Sequence, residues 1–178
     1  GRWTDKKVFY SGNGHTTRFM IPKYKYWESN PEYFAHDKDG KLITSNPKHV
    51  HLCLSNSEVT KICGNAVSSW MQDFPYSRFF YAGQEDLEGW CECAECRALD
   101  PFPGKKKNNR YSNLSDRMLS FVNKIAQEMQ KKYPDRIMLF SAYRETSETP
   151  VTIRPESPNI RTVLSLTPCA GIPCKSHT

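Results

Sequence analysis

The sequence predicts an α/β fold built on parallel strands, and three observations carry the prediction. Short apolar runs alternate with stretches of helical periodicity along the 178 residues. No tight Asn-Gly hairpin joins one strand-like run to the next, so consecutive strands need crossovers, the way parallel strands are connected. Polar and ionisable residues also collect just after the strand-like runs, the edge at which parallel sheets bind ligands. Five strands are visible, which fits an open doubly wound sheet. A closed eight-stranded barrel takes roughly 250 residues, so this length would hold only part of one.

Lys7-Val8-Phe9-Tyr10 reads as the first strand, stopped by Ser11-Gly12-Asn13-Gly14. Residues 24–28 read as a helical turn behind Pro22. Asp39-Gly40 is a turn signal, and the apolar run at 50–54 reads as the second strand. Ser55-Asn56-Ser57-Glu58 has the form of a capping box with Ser55 at the cap. The helix it opens carries Val59, Ile62, Cys63, Ala66, Val67, Trp70 and Met71 at spacings of three and four, and Pro75 ends it. Arg78-Phe79-Phe80-Tyr81-Ala82 reads as the third strand. A long loop follows at 84–111, a length usual for functional or disordered segments. The next helix presents Leu114, Met118, Phe121, Val122, Ile125 and Met129 on one face and stops at Pro134. Residues 137–142 and 159–166 read as the fourth and fifth strands.

The residues behind each strand form the candidate site. They are Asn13 and His15 after the first, Ser55 and Asn56 after the second, and Gln84, Glu85, Asp86, Glu88 and Trp90 after the third. Tyr143, Arg144 and Glu145 follow the fourth; Cys169, Cys174 and His177 follow the fifth.

Composition narrows the class. A hydrophobic content of 38% with 12% aromatics excludes a disordered chain. No apolar run reaches the roughly 18 residues of a membrane span. The net charge of +6 owes much to Lys105-Lys106-Lys107 and Lys131-Lys132, read as solvated runs, and no nucleic-acid-binding motif accompanies them. The chain opens on Gly1-Arg2-Trp3, with neither an initiator Met nor a signal-peptide pattern, and is expected to be a segment of something longer.

Seven cysteines are many for this length, and an odd number cannot all pair within the chain. Cys53 and Cys63 read as core residues. The stretch Trp90-Cys91-Glu92-Cys93-Ala94-Glu95-Cys96 offers three ligands to a tetrahedral metal. Cys169, Cys174 or His177 would supply a fourth, and the set taken here is Cys91, Cys93, Cys96 and Cys174, holding a structural zinc. A disulfide to Cys169 or Cys174 satisfies the same sequence, as do free thiols.

Several stretches resemble one family. They are His15-Thr16, Pro22, Asn30-Pro31-Glu32-Tyr33-Phe34-Ala35, Asp39-Gly40-Lys41 and Leu52-Cys53-Leu54-Ser55-Asn56-Ser57-Glu58-Val59. Gln84-Glu85-Asp86, Gly89-Trp90-Cys91-Glu92-Cys93 and Cys96-Arg97-Ala98-Leu99-Asp100 continue the pattern, with Ser115-Asp116-Arg117, Phe121-Val122-Asn123 and Ala142-Tyr143 after them. In this order they resemble an uncharacterised, mostly bacterial barrel domain, similar to the catalytic domains of alpha-glucuronidases and beta-hexosaminidases. The resemblance implies a parallel (β/α) TIM-barrel-like fold over residues 1–178, here a partial barrel of about five strands, with the remainder of the barrel and flanking domains as its neighbours. It implies polysaccharide breakdown in a secreted or periplasmic setting, a carbohydrate substrate and no cofactor for catalysis. In those relatives the acid/base carboxylate ends the fourth barrel strand; the third visible strand stands in that place. The sequence departs from the pattern at Glu85, where Asn is expected, and at Asn30, where His is expected.

Glycoside hydrolysis takes two carboxyl groups flanking the bond. Neighbouring strand residues point opposite ways, so Glu85 and Asp86 do not form the pair unless the chain turns between them. Asp86, which matches the family motif, is the expected general acid; Glu145 is the candidate second group, with Glu85 and Glu88 behind it. His15, Asn13, Trp90, Tyr143 and Arg144 are the expected sugar contacts, through hydrogen bonds, ring stacking and guanidinium pairing. Each also has a plainer reading as packing or solvated surface. A carbohydrate-binding barrel without catalysis and a zinc-stabilised interaction module are the rival classes.

Overall fold

The computed structural model describes residues 14–44, 48–102 and 113–164. In chain order these form α1 (Thr17–Met20), α2 (Lys23–Tyr26), a 3-10 turn at Pro31–Tyr33, α3 (Ser57–Asp73), β1 (Phe79–Tyr81), α4 (Ala94–Ala98) and α5 (Ser115–Gln130). β2 (Ile137–Ala142), a 3-10 turn at Arg144–Thr146 and β3 (Ile160–Leu164) follow. The expected first strand at 7–10, the Lys105-Lys106-Lys107 run and the end of the expected fifth strand lie outside the described residues.

The three strands pair in parallel in the order β1-β2-β3. Phe79 stands opposite Ile137, and Met138 opposite Ile160. Strand alternation sends Phe80, Met138, Phe140 and Ile160 into the main core with the faces of α3 and α5. Val59, Cys63, Val67 and Met71 of α3 recur every four residues and are all buried. Met118, Phe121, Val122, Ile125 and Met129 do the same for α5. Burial of each such side chain contributes roughly 1.5–3 kcal/mol, so the helix pair is the main support of the sheet. Val163 and Leu164 are exposed on β3, an edge strand among the described residues.

Two sequence expectations are corrected. The run at 50–54 is buried but joins no sheet: it makes one antiparallel bridge, Leu52 to Phe34. Short apolar runs do not distinguish a strand from a packed connection. The cap of α3 is Asn56, not Ser55; its side chain accepts from the backbone of Glu58 and Val59. Ser55 is turned instead toward three cysteine sulfurs.

Polar residues on α5 replace secondary structure in the connection from β2 to β3. Asp116 accepts from the backbone N–H groups of Val151, Thr152 and Ile153 and from the Thr152 hydroxyl. Asn123 donates to the Arg154 carbonyl and accepts from Glu156 N–H, and Ser115 donates to the Glu148 carbonyl. These bonds satisfy backbone groups that no strand pairs.

Candidate functional site

β1 ends in Ala82-Gly83-Gln84-Glu85-Asp86, where the chain from His15 to Arg18 meets it. The Gly83 carbonyl accepts from the N–H groups of Thr16 and Thr17, while Gly83 N–H donates to the Thr16 hydroxyl at 2.8 Å. A Cβ at Gly83 would stand 1.6 Å from the Gly14 carbonyl oxygen, so only glycine fits. Glu85 turns inward and is 2% exposed. Its carboxylate accepts from the Thr17 hydroxyl and the Arg18 N–H, and pairs with the Arg18 guanidinium at 2.6 Å. These bonds commit Glu85 to joining α1 to the end of β1.

Asp86 points outward toward the end of β2. Its Oδ1 accepts from the Tyr143 hydroxyl at 3.0 Å and from Arg144 Nη1 at 2.9 Å. The Arg144 hydrogen bond, helped by Tyr143, holds the Asp86 carboxyl below its ordinary range. Arg144 Nε stands 3.9 Å from Glu145, and Nη2 stands 3.9 Å from the exposed Glu88. The Glu145 side chain is only 12% exposed, and burial pushes its carboxyl above the usual range. Trp90 Nε1 is buried without a well-aligned acceptor, yet it lies near enough to Glu145 to oppose that rise.

Arg144 has φ of 50°, a left-handed conformation costly for a side chain of this size. Arg144-Glu145-Thr146 form the 3-10 turn in which this happens. The turn is held from beneath by Gln84, which donates to the Tyr143 carbonyl and accepts from the Thr146 hydroxyl, both at 2.9 Å. Gln84 is buried and was read only as one polar residue among several after the third strand.

Of the remaining expected contacts, His15 and Trp90 fall among the described residues. His15 donates from Nδ1 to the Gln84 carbonyl at 2.6 Å, and its ring lies 6.4 Å from that of Tyr143. Trp90 is buried and stacked at 4.4 Å on His51, whose Nε2 donates to the Leu87 carbonyl. Burial lowers the His51 pKa to about 4, so that ring is neutral. Asn13 lies outside the described residues. Of the aromatic residues before the 3-10 turn, Tyr26 and Trp27 pack against the core, whereas Tyr24 is exposed. A groove of about 830 Å³ lies apart from the carboxylates Asp86 and Glu145, lined by Arg18, Pro22, Trp27, Phe34 and His49 among others.

The cysteines form a second centre. Cys91, Cys93 and Cys96 come together as expected, and the fourth thiol is Cys53, read from the sequence as a core residue. The four sulfurs lie within 4.8 Å of one another, close enough to hold a metal ion. No disulfide links the cysteines among the described residues. Cys174, Cys169 and His177 lie outside those residues. One signal for Cys53 was present, the hydroxyl of Ser55 two residues on, but it lacks the close Cys-x2-Cys spacing by which ligands are usually found.

Comparison with known proteins gives the chain a family. Residues 3–175 match the family described as a domain of unknown function, DUF4838, and the chain belongs to it. No curated protein matches. The crystal structure of a beta-galactosidase from Bacillus circulans sp. alkalophilus is similar over 65% of this chain and 24% of that one, with a TM-score of 0.44 and 10% identity.

Proposed function

We propose that this member of a family without an assigned activity is a glycosidase-like domain. Its parallel sheet forms part of a (β/α) barrel, and it hydrolyses a complex glycan at the carboxyl ends of β1 and β2. The observation that carries the reading is the opposite displacement of two carboxyl groups around one guanidinium. Asp86 is held ionised by Arg144, while burial keeps Glu145 protonated to higher pH. Pairs of carboxyls pushed apart in this way divide the roles of acid and base. One planar guanidinium reaches both, so the pair stands within the roughly 9.5 Å span of hydrolytic carboxylates.

The roles in this reading differ from those expected of the sequence. Glu145 is the general acid, protonating the leaving oxygen. Asp86 is the ionised partner, acting as base or nucleophile. A carboxyl stabilised as its anion by an arginine is a poor proton donor, which is why Asp86 moves to the second role. Arg144, Tyr143 and His15 would orient the sugar, and Trp90 would close the floor beneath Glu145. A second reading, carbohydrate binding without catalysis, is favoured by one observation: Asp86 Oδ1 is already engaged by two donors.

Reducing-end release from a panel of glycans tests the proposal, with binding measured alongside. Glu145→Gln should lower turnover by about 10²–10⁴-fold, the usual contribution of a general acid, with binding retained. Release unchanged in Glu145→Gln but lost in Asp86→Asn would return the acid role to Asp86. Binding without release from any glycan would select the second reading.

A further inference from the structure

We propose that Cys53, Cys91, Cys93 and Cys96 hold one structural zinc ion, which joins the segment before α3 to the loop after β1. The geometry of the four sulfurs stands apart from the carboxylates of the glycosidase reading.

Zinc bound by four thiolates at about 2.3 Å in a tetrahedron sets its sulfurs about 3.8 Å apart. Cys53 Sγ lies 3.7 Å from Cys93 Sγ and 3.8 Å from Cys96 Sγ. Those separations are far longer than the roughly 2.05 Å of a disulfide. With all four sulfurs within 4.8 Å of one another, the space takes one ion and not a polynuclear cluster. A set made only of soft thiolates selects zinc over the oxygen-seeking cations.

The surroundings treat the sulfurs as acceptors. Cys91 Sγ receives the His36 N–H at 3.4 Å, and Cys93 Sγ receives the Cys96 N–H at 3.4 Å. The second bond also caps α4, so that helix starts on a ligand. Ser55 Oγ lies 3.2 Å from Cys96 Sγ and 3.4 Å from Cys53 Sγ, in position to donate to either. Such bonds orient the ligands and spread the negative charge that four thiolates carry beyond a divalent ion. Arg117 brings a buried positive charge alongside, donating to the Cys91 carbonyl at 2.6 Å.

The position of the cluster explains why an ion would be useful. Cys53, Cys91 and Cys96 pack with Ala35 in a small group of their own, separate from the main core. Backbone bonds from Ala35 to His51, from Cys53 to Tyr33 and from Glu92 to His36 bring the segments side by side, with no regular ladder between them. Little apolar area is buried in so small a group, and a structural zinc supplies the missing stabilisation directly.

The test is metal analysis and zinc-edge X-ray absorption on the protein purified without chelator. The expected result is one zinc per chain with four sulfurs at about 2.3 Å. Cys53→Ser should lose the bound zinc, while Cys63→Ala and Cys174→Ser keep it. Because Cys53→Ser could fail to fold, cobalt exchange into the wild-type protein gives a second reading. Tetrahedral cobalt with four thiolates shows intense visible absorption, which a site with fewer sulfurs lacks. Metal-free protein with four titratable thiols here would overturn the proposal. So would a disulfide among these cysteines, an absorption spectrum with nitrogen or oxygen ligands, or zinc retained in Cys53→Ser and lost in Cys174→Ser.

Discussion

The segment that leaves β1 divides at Gly89, and its halves are held in opposite ways. Before Gly89, the backbone and side chain of Gln84 and the side chain of Glu85 are fixed by direct bonds to His15, Thr17, Arg18 and the end of β2. Asp86 and Glu88 are thereby left facing solvent around Arg144. After Gly89, the residues that turn inward are Trp90 and the thiols of Cys91 and Cys96, which hydrogen-bond weakly, and one buried arginine ties the end of the segment. The first half is organised by the end of the sheet; the second is organised by its cysteines and leaves Glu92, Glu95 and Arg97 exposed. A positive φ of 88° at Gly89 lets the chain change from one regime to the other. A strand end can therefore aim a site by direct hydrogen bonds to the segments beside it, whereas a loop far from the sheet needs a local fastener.

The largest effect should come from the first half. In Gly83→Ala the new methyl would meet the Gly14 carbonyl oxygen at 1.6 Å, backbone that cannot step aside. A loss above about 4 kcal/mol is expected, seen as failure to accumulate or as a collapsed unfolding midpoint. Gly40 provides the contrast. Its φ of 78° penalises alanine by about 1–2 kcal/mol, but nothing lies within 4 Å of its Cβ. Equal losses in the two variants would show that Gly14 can draw back from Gly83 at little cost.

The second half should break at Arg117. Its guanidinium is paired with Asp100 at 2.5 Å, and the two side chains are 3% and 7% exposed. Arg117→Met strands a buried carboxylate and the Cys91 carbonyl, at an expected cost of about 3–5 kcal/mol by urea unfolding. Burial already holds the Asp100 carboxyl above its ordinary value despite the arginine, so protonation would soften the loss at low pH. Removing both charges, as in Arg117→Met with Asp100→Leu, should recover most of it. No recovery in the double variant would mean that the carbonyl bond, and not the charge pair, holds the end of the loop.

The two halves also differ in how far the sequence disclosed them. The gathering of Asp86, Tyr143, Arg144 and Glu145 at strand ends was legible because β1 and β2 lie where their apolar runs were read. The helices α3 and α5 were legible for a similar reason: spacings of three and four report a buried face directly. The opposed environments of Asp86 and Glu145 were not legible, since one depends on Arg144, whose backbone is bent into a conformation no pattern announces, and the other on burial. Cys53 was missed because a thiol in an apolar run reads as core. Only the packing of Ala35 between residues 51–53 and 91–92 reveals that this part of the core faces three more thiols. The motif residues Asp116, Arg117 and Asn123 were recognised by resemblance alone; their hydrogen bonds show that they fasten loops to α5.

The smallest effect should be the stability carried by Asp86, which sharpens the contrast with Asp100. Asp86 is 45% exposed, so water and salt screen its pair with Arg144, and Asp86→Asn should change stability by about 0–1 kcal/mol. Its folded pKa lies below the unfolded value of about 3.9. The contribution is therefore fully present above that value and is lost as the pH falls through the depressed one. Wild type and Asp86→Asn should thus differ slightly at neutral pH, converge in acid, and differ less still at high salt. Turnover on any glycan found to be a substrate should follow the same carboxyl on its acid side. It should fall as Asp86 is protonated, and on the alkaline side as Glu145 ionises above its raised value. A stability difference that is large and indifferent to salt would place Asp86 with Asp100 as a structural anchor. The solvent-facing half of the loop would then hold its charge for the fold, and the catalytic reading of Asp86 would fall.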